Sequence, residues 1–170
     1  PSHWNVYDEV DGYMPRFWGV FMMPLVTLGM LLLFLVLPNI DPLKANIARF
    51  RPAFNLFIVC IIGFMLYVHG LTLAWALGYQ DFKMSMAMLP FIGVLFIFVG
   101  FLMRKAKRNF FIGIRTPWTL SSETVWDETH KLGSKLFMLS GLVTILSAFL
   151  GENGIWLMMA VLLAAAFSAE

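Results

Sequence analysis

The sequence predicts an all-α fold: a polytopic transmembrane bundle of about five helices, forming one domain over residues 1–170. Three observations predict it. Hydrophobic residues fill 60% of the 170 positions and charged residues only 13%, against about a quarter charged in a soluble domain, too few to cover a water-facing surface. The apolar residues gather in five long runs. The lysines and arginines gather between alternate runs.

The first run, Phe17–Leu37, holds 21 residues without a charge. As a helix it spans about 31 Å, the thickness of a bilayer's hydrocarbon core. The second, Ala53–Leu77, is interrupted by Asn55, His69 and Thr72, and the third is Met84–Met103. None alternates with the period of a barrel strand. In lipid each backbone amide needs a partner within its own segment, so each run is expected to be helical. Pro24 and Pro90 predict kinks that membrane helices tolerate.

The fourth run, Leu136–Leu150, is short alone. Ser121 or Ser122 can cap a helix with Glu123 in its first turn. Val125, Thr129, Leu132 and Leu136 then share one face, and Asp127 and Lys131 form an i,i+4 pair. One helix over about 122–150 is expected, starting at the interface. The fifth run, Ile155–Phe167, predicts a last span over about 155–168. Between the first two runs, Asp41 can cap a short helix starting at Pro42. Its Leu43–Ile47–Phe50 stripe is expected to lie on lipid headgroups.

Of the 12 lysines and arginines, Lys44, Arg49 and Arg51 follow the first run and seven stand between Arg104 and Lys135. Arg16 and Lys83 fall to the other side. Basic loops stay in the cytoplasm, which predicts a multi-pass plasma-membrane protein with Pro1 outside and the C-terminus inside. An outer start without a signal peptide predicts one further membrane helix ahead of Pro1. The net charge of +2 gives no basis for direct nucleic-acid binding. The Arg104–Arg108 cluster is suited to anionic membrane lipid.

Three places could carry chemistry. The outer segment holds His3, Trp4 and Asn5, then Asp8, Glu9 and Asp11. It reads as an interfacial turn with Trp4 and Tyr13 at headgroup level, rather than as a metal site. His69 is an intramembrane ionisable group and so a functional suspect. The plainer reading is a neutral imidazole bonded to another helix, with Gly63 and Gly70 allowing close approach. The third place is the inner segment 109–130. Arg115, Trp118, Trp126, Asp127 and His130 there form either a polar–aromatic pocket or a structural plug in which Arg115 satisfies helix-end carbonyls.

Cys60 is the single cysteine and reads as a small buried hydrophobe. His3, His69 and His130 fall at three depths and cannot share a metal or a triad. No HExxH, GxSxG, P-loop or CxxC pattern occurs. Neither an enzyme nor a metal or cofactor is predicted.

Together, His3-Trp4-Asn5, Asp11-Gly12-Tyr13, Ile40-Asp41-Pro42 with Asn46, Gly113-Ile-Arg-Thr-Pro-Trp-Thr-Leu-Ser121 and Val125-Trp126 with Thr129-His130 resemble the SdpI-type immunity protein family. The resemblance covers nearly the whole chain, and the block from Gly113 to His130 is its specific part. Asp8 stands where such sequences commonly carry glycine, and Pro15-Arg16 replaces a usual Ser-Lys. The resemblance implies a small polytopic protein that protects its host from a membrane-active peptide toxin and holds a cytoplasmic repressor at the membrane. On that reading His3, Trp4, Asn5 and Asp11 face the toxin. Arg115, Thr116, Trp118, Trp126, Asp127 and His130 face the cytoplasmic partner or brace the bundle. The alternatives are an accessory subunit of a larger membrane complex, or a small transporter built around His69.

Overall fold

In a computed structural model of the protein, residues 1–5 and 7–150 are described, with 156, 157, 159–161 and 163. The expected span over 155–168 lies for the most part outside these residues. A short antiparallel hairpin opens the chain, β1 (His3–Trp4) against β2 (Val10–Gly12), with a bulge between His3 and Trp4. The sequence reading expected only an interfacial turn there. Then come α1 (Arg16–Ile40), α2 (Lys44–Arg49), α3 (Arg51–Ala76), α4 (Met84–Lys105), α5 (Pro117–Ser121) and α6 (Glu123–Ser147), the last continued by a 3-10 turn, Ala148–Leu150.

Four helices among the described residues, α1, α3, α4 and α6 with its extension, are long and apolar enough to cross a membrane. They fit a multi-pass membrane protein. The helices run unbroken through Pro24, Pro38 and Pro90. Each proline removes one N–H from the ladder, a loss that neighbouring helices can offset in lipid.

The helices neighbour one another in the order α1, α3, α4, α6, and the tightest pair is α4 with α6. Glycine sets that closeness. A Cβ at Gly93 or at Gly141 would stand 2.5 Å from the other glycine's carbonyl oxygen, and one at Gly100 would stand 2.7 Å from the Ser134 carbonyl. Small residues let two backbones meet in lipid, where dispersion replaces the hydrophobic effect as the driving force. Gly63 and Gly70, expected to serve this purpose, have nothing within 4 Å of a Cβ.

The buried face of α6 carries Trp126, His130, Gly133, Ser134, Ser140, Gly141, Thr144 and Ser147. Val125 and Leu132, on the apolar stripe read from the sequence, are 40% and 45% exposed. Lipid solvates apolar side chains as well as a core does, so the greasy stripe points outward. The inward hydroxyls bond their own helix: Thr144 Oγ1 donates to Ser140 O and Ser147 Oγ to Thr144 O, both at 2.7 Å. Ser122 caps α6 as expected, accepting from Val125 N at 3.4 Å. The expected Asp127–Lys131 pair is replaced by Asp127 with Lys107 and Lys131 with Glu128, each at 3.5 Å.

The α2 stripe also turns inward. Ile47 and Phe50 are buried in a cluster with Phe54, Ile58, Leu102, Ala106, Ile112 and Trp126. The helix therefore packs on the bundle instead of lying on headgroups, and it starts at Lys44 rather than Pro42.

Candidate functional site: a hairpin end and a basic end

The chain places its chemistry at two ends. At one end the hairpin folds over α1, α3 and α4. Asn5 shapes its turn, with Oδ1 accepting from Tyr7 N (2.9 Å) and Glu9 N (3.0 Å) and Nδ2 donating to Glu9 Oε2 (3.0 Å). His3 Nδ1 meets Asp11 Oδ1 at 2.5 Å across the strands. Among the described residues no three His, Cys, Asp or Glu side chains gather as a metal set.

Asp8 ties this hairpin to the bundle. Its φ of 62° is a conformation that glycine adopts more readily. Its carboxylate accepts from Ser85 N at 2.7 Å and Ser85 Oγ at 2.5 Å. Ser85 lies in the first turn of α4, where the helix dipole favours an anion. Trp4 packs edge-on against Trp75, and Trp75 against Phe82, each at 5.8 Å between centroids. The Trp4 indole N–H is buried without an acceptor among the described residues.

Under the hairpin lies a cavity of about 370 Å³ lined by Trp4, Trp18, Met22, Thr72, Met84 and Met88, among others. Methionine's flexible, polarizable thioether adapts to varied apolar shapes. The chamber therefore suits an apolar group. Asp8 was visible in the outer segment, but its bond to Ser85 was not, and the methionines did not stand out, since cavity walls drawn from three helices leave no local pattern.

At the other end, loop 106–122 connects α4 to α6. Asn109, fully buried, organises it. Its Oδ1 accepts from Phe111 N (2.9 Å) and Ile112 N (2.6 Å), and its Nδ2 donates to Lys107 O (2.8 Å) and Ile112 O (2.9 Å). All four hydrogen-bonding positions of the amide are used. Asp41, 2% exposed, bridges distant segments by accepting from Leu43 N (2.6 Å) and Phe110 N (2.9 Å). Asn46 Nδ2 donates to Arg108 O at 2.8 Å.

Asp41→Ala is expected to lower stability by about 1–3 kcal/mol, because it strands two amide donors. Asp41→Asn keeps an acceptor for one of them and is expected to lose less. Thermal unfolding in detergent measures both.

Trp126 and His130 fill the space that could have been a pocket. They are 1% and 2% exposed and stack at 3.9 Å with 16° between planes. Trp126 Nε1 donates to Ala106 O at 3.1 Å. His130 Nε2 accepts from Ile114 N at 3.1 Å, so the proton sits on Nδ1, 2.9 Å from Trp126 O. Thr116 caps α5 in a reciprocal box with Thr119, with Pro117 at the helix start.

The expected five-residue grouping divides. Trp126 and His130 form the plug, Asp127 sits outside on Lys107, and Trp118 stands apart at 73% exposure. Arg115 donates to the loop carbonyl of Phe110 at 2.8 Å rather than to a helix end. Arg108 takes that role, 3.3 Å from Leu120 O and 3.6 Å from Glu123. Trp118→Ala is accordingly expected to change stability by less than about 0.5 kcal/mol, checked by the same unfolding measurement. His69 belongs to neither end; its Nδ1 has no partner among the described residues, where a bond to another helix was expected.

Comparison with known proteins matches both ends. The SdpI/YfhL protein family matches residues 105–169, and a domain of unknown function (DUF1648) matches residues 1–28. Immunity protein SdpI of Bacillus subtilis (strain 168) is 33% identical over 151 residues, covering 86% of this chain and 68% of that protein. The chain belongs to the SdpI family. The SdpI/YfhL match contains the Asn109–His130 brace, and the other contains the hairpin with the first half of α1. No solved structure matches.

Proposed function

We propose that this SdpI-family protein protects its host membrane against a membrane-active peptide toxin, captured at the hairpin end. The methionine-lined cavity beneath Trp4 carries this reading, because it is a preformed apolar chamber. The similar protein from Bacillus subtilis is named an immunity protein. On this proposal His3, Trp4, Asn5 and Asp11 form the toxin-facing edge. They lie outside, because the ten lysines and arginines of the other end stay in the cytoplasm. At that inner end Trp118, exposed on α5, is the contact for a cytoplasmic partner such as a repressor. Arg115, Thr116, Trp126 and His130 brace the loop that carries α5, and Asp127 pairs with Lys107 beside it. The protein binds and does not catalyse.

The test is survival of toxin-sensitive cells expressing the full chain. Wild type is expected to raise survival, Trp4→Ala to abolish the gain, and Trp118→Ala to keep it. Unchanged killing by every membrane-active peptide tried refutes immunity. A second reading, an accessory subunit of a larger membrane complex, draws on α1, which buries only Thr27 and Pro38 among the described residues. Purification in mild detergent separates the two: a stoichiometric partner supports the subunit reading and a lone protein opposes it.

A further inference from the structure

We propose that the cleft between the basic ends of α4 and α6 is a discrete binding site for an anionic phospholipid headgroup. The cleft encloses about 350 Å³, and its walls bring together Arg104 and Lys107 from the α4 side with Lys131 and Lys135 from α6. Sequence places these cations up to 31 positions apart; the close α4–α6 crossing turns them toward one space. Asp127 is the one carboxylate on the wall among the described residues. It pairs with Lys107 at 3.5 Å, and Glu128 pairs with Lys131 at 3.5 Å. These exposed pairs are weak and exchangeable. Arg104 and Lys135 have no carboxylate within salt-bridge distance among the described residues, so the cleft keeps two uncompensated positive charges.

Its floor is mixed in character. Ser134 is 1% exposed, and its hydroxyl donates only to the Met138 thioether, at 3.8 Å. Sulfur is a weak acceptor, so most of that hydroxyl's hydrogen-bonding capacity is unused on the cleft wall. Met103 and Met138 supply apolar wall beside it, placed to meet the glycerol and the first acyl carbons. The height is also right. Arg104 is in the last turn of α4, where an apolar span ends, and a phospholipid phosphate lies at that level. Two unpaired cations, a hydroxyl bonded only to sulfur and an apolar wall are the complement of a phosphate esterified to a lipid. Free phosphate would leave the apolar wall unused.

The test measures binding to the full-length protein in detergent by thermal shift and native mass spectrometry. The probes are phosphatidylglycerol, phosphatidylcholine and inorganic phosphate. Phosphatidylglycerol is expected to bind at least about tenfold tighter than phosphatidylcholine, and millimolar phosphate to produce no shift. The double variant Arg104→Gln/Lys135→Gln is expected to lose about tenfold or more for phosphatidylglycerol. Lys44→Gln/Arg49→Gln removes the same charge at the same end but outside the cleft, and is expected to bind like wild type. Equal losses in the two double variants overturn the site in favour of a diffuse basic surface. Equal binding of the two lipids overturns headgroup selection. A shift with inorganic phosphate alone assigns the cleft to a free anion and overturns the lipid proposal. If the cleft variant fails to fold, Ser134→Ala provides the same comparison and is expected to weaken phosphatidylglycerol binding severalfold.

Discussion

Gly113→Ala is expected to destabilise the protein by about 3 kcal/mol or more, a large share of a margin that is typically about 5–15 kcal/mol. Two effects combine. Gly113 has φ +112°, a conformation that disfavours any residue with a Cβ by roughly 1–2 kcal/mol. A Cβ there would also run into His130 Nε2, the atom that accepts from Ile114 N. The imidazole would have to leave its stack on Trp126, losing that bond and opening space around a 1%-exposed indole. Gly78 separates the two effects. It too has a positive φ, +100°, but nothing lies within 4 Å of its Cβ position. Gly78→Ala is expected to carry the backbone strain alone, roughly 1–2 kcal/mol. Thermal unfolding of the two variants in one detergent measures the difference. Equal losses would mean that His130 does not press on Gly113.

The contrast between these glycines shows what sequence conveys. The apolar runs announced the helices, because lipid forces each segment to satisfy its own backbone. Charge counting grouped the ends: Asp8 bonds to Ser85 at one and Asp41 to Phe110 at the other, as alternating loops require. What the runs could not announce is which face turns inward. In water the apolar stripe marks the core, but here Leu132 and Val125 face out while Ser134 and Gly141 face in. Glycines were visible in α1, α3, α4 and α6, yet among the described residues only those of α4 and α6 meet another helix's backbone.

The basic-end loop was legible as distinctive text, and its role was not. Asn109 could be read as a turn former from its place before Phe110-Phe111-Ile112-Gly113. Asp41 and Phe110 are 69 positions apart, and nothing local links them. The grouping of Trp118 with Trp126 failed for a different reason. Proximity in sequence grouped them in one pocket or plug, but the Thr116 cap and Pro117 start a separate helix that carries Trp118 away.

The second large effect is expected at the α4–α6 crossing. Gly141→Leu is expected to lower stability by about 3 kcal/mol or more, and Gly93→Leu by a similar amount. A Cβ at Gly141 would stand 2.5 Å from Gly93 O and 2.9 Å from Ile97 N; one at Gly93 would stand 2.5 Å from Gly141 O and 2.9 Å from Ile145 N. The obstructing atoms include backbone, beside the Ile145 and Ile97 side chains, so no rotamer change alone relieves the contact. The helices must separate, and overpacking of a tight contact typically costs about 1–3 kcal/mol before the lost dispersion is counted. Separation also widens the neighbouring Gly100–Ser134 approach, so the damage spreads along the crossing. Gly63→Leu and Gly70→Leu are the controls. Both glycines face open space, and leucine in a helix is favoured over glycine by roughly 0.5–1 kcal/mol. These variants are expected to be neutral or mildly stabilising. Unfolding in graded denaturing detergent ranks the four. If leucine at Gly63 is as damaging as leucine at Gly141, α3 has a close neighbour at Gly63 and the order α1, α3, α4, α6 is incomplete.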